Sequence, residues 1–277
     1  MSSSASALTA LTTFANDKLP IQVLGVHILI VACIVLAIFT NSFSFTPVFA
    51  FQCKNYVLNT YLYFLLTWGI ALIVVYSLDQ LYTQKGAPLS AVPVYKTPFR
   101  IVTAILFLGL IWVLFAVRGH IYAEHFIFLL WTAIAGVFLY YMFVRNRTIF
   151  YNSMSAVVAV LIIFSTVSVL FPDLISNNVM VYLMGILATI IVVRIVEILL
   201  HAFDVITYEE TRTMSKGISY VAIVLFTLFL IYDTNLIRKS ASLCNIRSNP
   251  PNYIHSSLGI FLDTLNLMSS FFDVMSD

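Results

Sequence analysis

Charge is scarce in this chain. Only 9% of its 277 residues are Asp, Glu, Lys or Arg, against about 25% in a soluble domain. With 61% hydrophobic residues, that excludes a soluble globular protein and defines a polytopic membrane protein. The net charge is only +2 and no basic run exists, so nothing points to nucleic acid. Three cysteines, Cys33, Cys53 and Cys244, are too few and too scattered for a disulfide framework or a metal cluster. They read as small membrane-core residues and one loop thiol. Catalytic signatures are missing as well: no His-Glu-x-x-His, no Gly-x-Ser-x-Gly, no Walker loop, no Rossmann fingerprint. Ser165 or Ser168 with His27 is the one conceivable intramembrane protease pair, and no motif supports it. The expectation is a protein that is not an enzyme and has no cofactor.

What is present is a series of long apolar segments. Residues 1–20 form a polar tail whose first 17 residues contain no Lys or Arg, unlike the basic start of a signal peptide. Residues 21–277 read as a single transmembrane domain. Spanning helices are expected at Ile21–Thr40, Val57–Leu78, Phe99–Val117, Glu124–Val144, Ser153–Phe171, Val179–Leu200 and Gly217–Ile231, with an eighth near the C-terminus. His27 reads as a packed or hydrogen-bonded residue, since no second His lies a helical turn away. The aromatic loop Asn41–Lys54 suits a membrane interface, and the Pro/Gly-rich connector Thr83–Pro98 is irregular. Asn146-Arg147-Thr148 fits a glycosylation acceptor but lies tight between two apolar runs and is expected to be unused. The fold class is therefore all-α, a transmembrane helical bundle of seven or eight spans.

The last 47 residues carry the chemistry. Asp233 ends one apolar run, in Tyr232-Asp233-Thr234. A polar connector, Arg238–Pro251, follows. Asp263 sits in the next run, in Phe261-Leu262-Asp263-Thr264-Leu265-Asn266-Leu267. A carboxylate in hydrocarbon costs ~2.5–3.5 kcal/mol on insertion scales, so both must face protein or water. Ser256, Gly259, Asp263, Asn266, Ser270 and Asp273 recur every three or four residues and form one stripe on a helix. A surface amphipathic helix is the plain alternative, but such helices carry Lys or Arg on the polar face, and residues 254–277 have neither.

These residues resemble the C-terminal signature of the Bax inhibitor-1 (transmembrane BAX inhibitor motif) family: Tyr-Asp-Thr closing a helix, a short basic connector, then Leu-x-x-Phe-Leu-Asp-x-x-Asn-Leu. The resemblance implies a seven-helix membrane protein that leaks calcium in a pH-sensitive way and suppresses cell death. It implies that Asp233 and Asp263 are its proton sensor and gate, holding Ca²⁺ transiently. Backward alignment makes Ile21–Thr40 an additional N-terminal helix. It also makes Arg118 a candidate latch on the acid pair, against the plainer role of anchoring a helix end. Intracellular membranes, endoplasmic reticulum or Golgi, or a viral membrane are the implied locations. The implied partners are the bilayer, Ca²⁺ and other membrane proteins.

Two carboxylates close together in a low-dielectric site titrate as a pair. Ionised, they offer hard oxygen ligands suited to Ca²⁺, and Asn266 and Thr234 could add neutral oxygens. Protonated, they could hold two helices together through a shared hydrogen bond. The alternative is a structural or scaffolding membrane protein in which the aspartates only pin helices. A second constellation, Arg194, Glu197, His201 and Asp204, lines one face of the sixth helix. It reads either as a pore-lining vestibule or as an intrahelical ion-pair ladder. Orientation stays open. With eight spans, eight Lys and Arg lie on the N-terminal side and five on the other, favouring cytosolic termini. The family resemblance instead implies a cytosolic Arg238–Arg247 connector.

Overall fold

A computed structural model describes residues 21–44, 50–84, 97–171, 174–202, 208–248 and 250–276. Among these, eight helices are long and apolar enough to cross a membrane. They are α1 Ile21–Ser42, α2 Tyr56–Gln84, α3 Thr97–Ala116, α4 Ile121–Arg145, α5 Arg147–Leu170, α6 Asn177–Ala202, α7 Tyr208–Leu243 and α8 Tyr253–Met275. Between α1 and α2 two short strands, β1 Phe43–Ser44 and β2 Ala50–Phe51, pair antiparallel. The expected helical bundle of seven or eight spans is thus what the described residues form, with eight helices long enough. The tail 1–20 and most of the Thr83–Pro98 connector lie outside the described residues.

The inner helices are α2, α4 and α8, each burying half or more of its spanning window. In α4, Phe128, Trp131, Ala135, Leu139 and Phe143 recur at helical spacing and are fully enclosed, so one face of the helix is core. α8 is enclosed on nearly every side. Ile254, Leu258, Phe261, Leu265, Met268 and Phe272 are buried, and so are Ser257, Asp263, Thr264 and Ser270 of the same helix. Trp68 of α2 and Trp131 of α4 both pack on Phe261, with ring centroids 5.2 and 5.3 Å away. The Trp68 indole donates to the Thr264 hydroxyl at 3.3 Å. By contrast α1, α3 and α6 leave Leu29, Leu36, Ile105, Trp112, Val181 and Tyr182 largely uncovered. In a membrane protein that surface meets lipid, and exposing it carries no hydrophobic penalty.

Several boundaries moved, each for a visible reason. α2 does not stop at Asp79, because Asp79 is buried and accepts from Arg147 at 2.5 Å. α5 starts at Arg147, six residues before the expected Ser153, because Asn146 caps it by accepting from the Ile149 N–H. The glycosylation acceptor pattern is therefore part of a helix start, with Arg147 engaged in an ion pair. The largest difference is α7. Expected over Gly217–Ile231, it runs for 36 residues, about 54 Å, well beyond the ~30 Å hydrocarbon core. Arg238 ends inside it and donates to the Ser168 and Val169 carbonyls at the C-terminus of α5, where a cation suits the helix dipole. His27 behaves as expected: its Nδ1 is 2.7 Å from the Val23 carbonyl and its ring meets Tyr76 edge-on.

The cysteine reading needs correction. Cys53, ahead of α2, and Cys244, just past α7, form a disulfide with Cα atoms 5.7 Å apart. They are 191 residues apart in sequence, so only the packing of α2 beside α7 and α8 brings them together. Cys33 is free and exposed on α1.

Close helix approach rests on small residues. A methyl group at Gly136 of α4 would overlap the Ala71 backbone and the Val74 side chain of α2, whereas Gly109 of α3 has open space around it. Gly136→Val should destabilise the bundle by ~1–3 kcal/mol, the usual cost of overpacking. Gly109→Val should leave the thermal unfolding midpoint in detergent unchanged.

Candidate functional site

The polar stripe of α8 turns inward toward α7. At Gly259 the two helices come so close that a methyl group there would collide with the Asp233 carboxylate. Asp263 lies one turn further along the same face of α8 and is buried at 7% exposure. The two carboxylates are near enough to interact electrostatically. The Oδ2 atom of Asp263 has no hydrogen-bond partner among the described residues. Asp233 is half-buried and lies on the wall of a cavity of about 350 Å³. The pair predicted from sequence is therefore assembled, with one acid reachable from the cavity and the other sealed behind it.

The supporting residues divide differently from expectation. Thr234 is beside the pair, but its hydroxyl donates to the Leu230 carbonyl and meets Tyr61 at 3.3 Å. Asn266 is not part of the acid site. It is exposed, donates to its own Leu262 carbonyl, and lines a second cavity of about 280 Å³. Arg118 does line the first cavity, yet it forms no ion pair with either aspartate among the described residues. The structure thus shows no latch contact between Arg118 and the acid pair. The protease pairing does not occur. Ser165 meets Tyr61, Ser168 donates to Asn235, and His27 binds its own helix.

A buried acid–base pair, one member of which lines the cavity, escaped the sequence reading. His255, on the first turn of α8, holds Glu124 of α4 at 2.9 Å. The other Glu124 oxygen accepts from the Gly119 N–H at 3.4 Å. Asn252 caps α8 by accepting from the His255 N–H, and its Oδ1 lies 2.7 Å from the ring Nδ1. Both partners are largely enclosed, at 10% and 5% side-chain exposure. In the sequence Glu124 looks like any acid in a first helical turn, so nothing local marked it as buried.

The Arg194 constellation is more than an intrahelical ladder. Arg194 pairs with Glu197 at 3.1 Å and with Asp273 of α8 at 3.7 Å. It also donates to the Ser215 and Ser219 hydroxyls of α7. One guanidinium thus ties three helices together at the margin of the second cavity, with Glu197 buried. The His201 side chain and Asp204 lie outside the described residues.

A polytopic helical membrane protein whose last two helices bring two carboxylates near one another is the class defined by this geometry. Comparison makes it specific: the family described as Inhibitor of apoptosis-promoting Bax1 matches residues 53–277, from Cys53 ahead of α2 to the final residue. The chain belongs to this family, the Bax inhibitor-1 family. The match takes in the seven helices α2–α8 and leaves α1 ahead of it. No curated protein matches the chain.

The Glu124–His255 pair should contribute measurably to stability. Removing either partner leaves the other buried without its counterpart, which costs ~1–3 kcal/mol. A double-mutant cycle of Glu124→Gln and His255→Ala should give a coupling of ~0.5–3 kcal/mol in detergent unfolding. Additive losses would show that the contact carries no energy.

Proposed function

We propose that this Bax inhibitor-1 family protein is a pH-sensitive calcium leak channel in an intracellular or viral membrane, conducting ions rather than catalysing a reaction. The observation that supports it is the placement of Asp233 on a cavity wall with Asp263 buried one turn behind. Two carboxylates this close share protons, and their titration belongs to the pair. With a proton retained, one carboxyl donates to the other and holds α7 against α8. With both protons lost, the acids repel each other and present oxygen ligands of the kind Ca²⁺ prefers. Proton occupancy then sets both helix contact and cation affinity, which is a gate.

The path in this reading follows the α8 stripe. The first cavity touches Gly259 and the second touches Asn266, seven residues or about 10 Å further along the helix. Asp263 occupies the interval. Arg194 lines the far opening, with the buried Glu197 paired to it. A role in suppressing apoptosis comes with the family and is proposed on that basis alone.

Flux from proteoliposomes tests the reading. Asp233→Asn combined with Asp263→Asn should abolish the pH dependence of calcium release. Unchanged flux and pH profile would overturn the gate and leave a scaffolding membrane protein. Glu197→Gln should lower the conductance without moving the pH profile; an unaltered flux would reduce the Arg194 cluster to a structural tie.

A further inference from the structure

The disulfide bears on which side of the membrane each face occupies. Cys244 lines the first cavity together with Arg118, Asn252 and Tyr56, so the α1–α2, α3–α4 and α7–α8 connections meet on one face, around the opening above Asp233. The Cys53–Cys244 bond lies at that rim. A structural disulfide persists in an oxidising compartment and is rare on the cytosolic side. The opposite face carries the Asp79–Arg147 and Arg194–Asp273 ion pairs and the contact from Arg212 to the Ser276 carbonyl.

Charge distribution gives an independent indication. On the disulfide face the chain has Lys54, Arg118, Arg238, Lys239 and Arg247. Counted by sequence order alone, the segments that alternate with those across eight spans contain Lys18, Lys85, Lys96, Arg100, Arg145, Arg147, Arg212 and Lys216. Short loops richer in Lys and Arg stay in the cytosol. The thiol chemistry and the charge bias use different residues and give the same orientation.

We propose that the cavity above Asp233 opens to an oxidising compartment, either an organelle lumen or the cell exterior, and that the Arg147–Arg212 face is cytosolic. This places the α7–α8 connector opposite to where the family resemblance alone would put it. The sidedness does not depend on calcium transport. Combined with the leak reading, which it then rests on, it names the compartment whose protons and divalent cations reach Asp233 first. The disulfide holds the start of α2 to the end of α7 at that opening.

Thiol chemistry on the full chain tests it without any flux measurement. Unreduced protein, denatured in the presence of a PEG-maleimide, should shift by one adduct, from Cys33, and by three after reduction. Three adducts without reductant would overturn the proposal. Sidedness is read from Ser248→Cys, on the exposed connector, and Glu209→Cys, at the start of α7, each in a Cys33→Ser chain. In digitonin-treated cells with sealed organelles, a membrane-impermeant maleimide should label Glu209→Cys at once. Ser248→Cys should label only after the organelles are opened, if they hold the protein, or on intact cells, if the plasma membrane does. The reverse pattern would overturn the orientation. Either result leaves the calcium reading to be decided by the aspartate variants.

Discussion

Asp233 and Asp263 can be kept inside an apolar bundle only if the helices that carry them turn toward each other. Facing lipid, each carboxylate would cost several kcal/mol; facing one another and a cavity, they share that burden with water and with protons. Gly259 makes the arrangement possible, because its missing side chain is the space that the Asp233 carboxylate occupies. The position of α8 follows from this constraint. Its polar stripe is turned to α7 and α6, and its remaining surface is packed by α2, α4 and α5. A helix with polar groups along one side and large apolar groups on the rest thereby becomes the axis of the bundle.

Other charged groups in the spans obey the same rule at different depths. Asp79 takes Arg147, Glu124 takes His255, and Arg194 takes both Glu197 and Asp273. Apart from Arg194–Glu197, which lies within α6, each pairing links different helices: α2 to α5, α4 to α8, α6 to α8. Buried pairs of this kind add little net stability compared with apolar packing, but breaking one is expensive. Their effect is to set which helices are neighbours and in what register. Lipid supplies no such specificity, because hydrocarbon tails are as apolar as the leucines they meet.

The acid pair differs from these links in having no cation paired with it among the described residues. Arg118 is on the cavity wall with Asp233, yet the two remain unpaired, and the free Asp263 oxygen has no donor among the described residues. On the proposed reading, a site so arranged would respond to whichever cation arrives, a proton or a metal ion. The structural pairs are insulated from that competition by their built-in partners. The contrast separates a candidate gate from the fixed ties around it.

Much of this was legible before any coordinates. Hydrophobic run lengths determined eight spans, because a span must satisfy its own backbone within one segment. The three- and four-residue recurrence from Ser256 to Asp273 determined the polar face of α8 and placed Asp263 on it. Long-range pairing could not be read this way. Cys53 with Cys244, Glu124 with His255, and Arg194 with Asp273 join residues far apart in the chain, and no local pattern encodes such distances. The extension of α7 through Arg238 was hidden for a related reason: its polar ends look like loop until α5 offers carbonyls to the arginine. Asn266 was assigned to the acid site by nearness in sequence, whereas the rise of the helix carries it to the other cavity. Periodicity within one helix is a local property that the order of residues determines. Which helices meet, and at what height, was decided only when the buried charges found their partners.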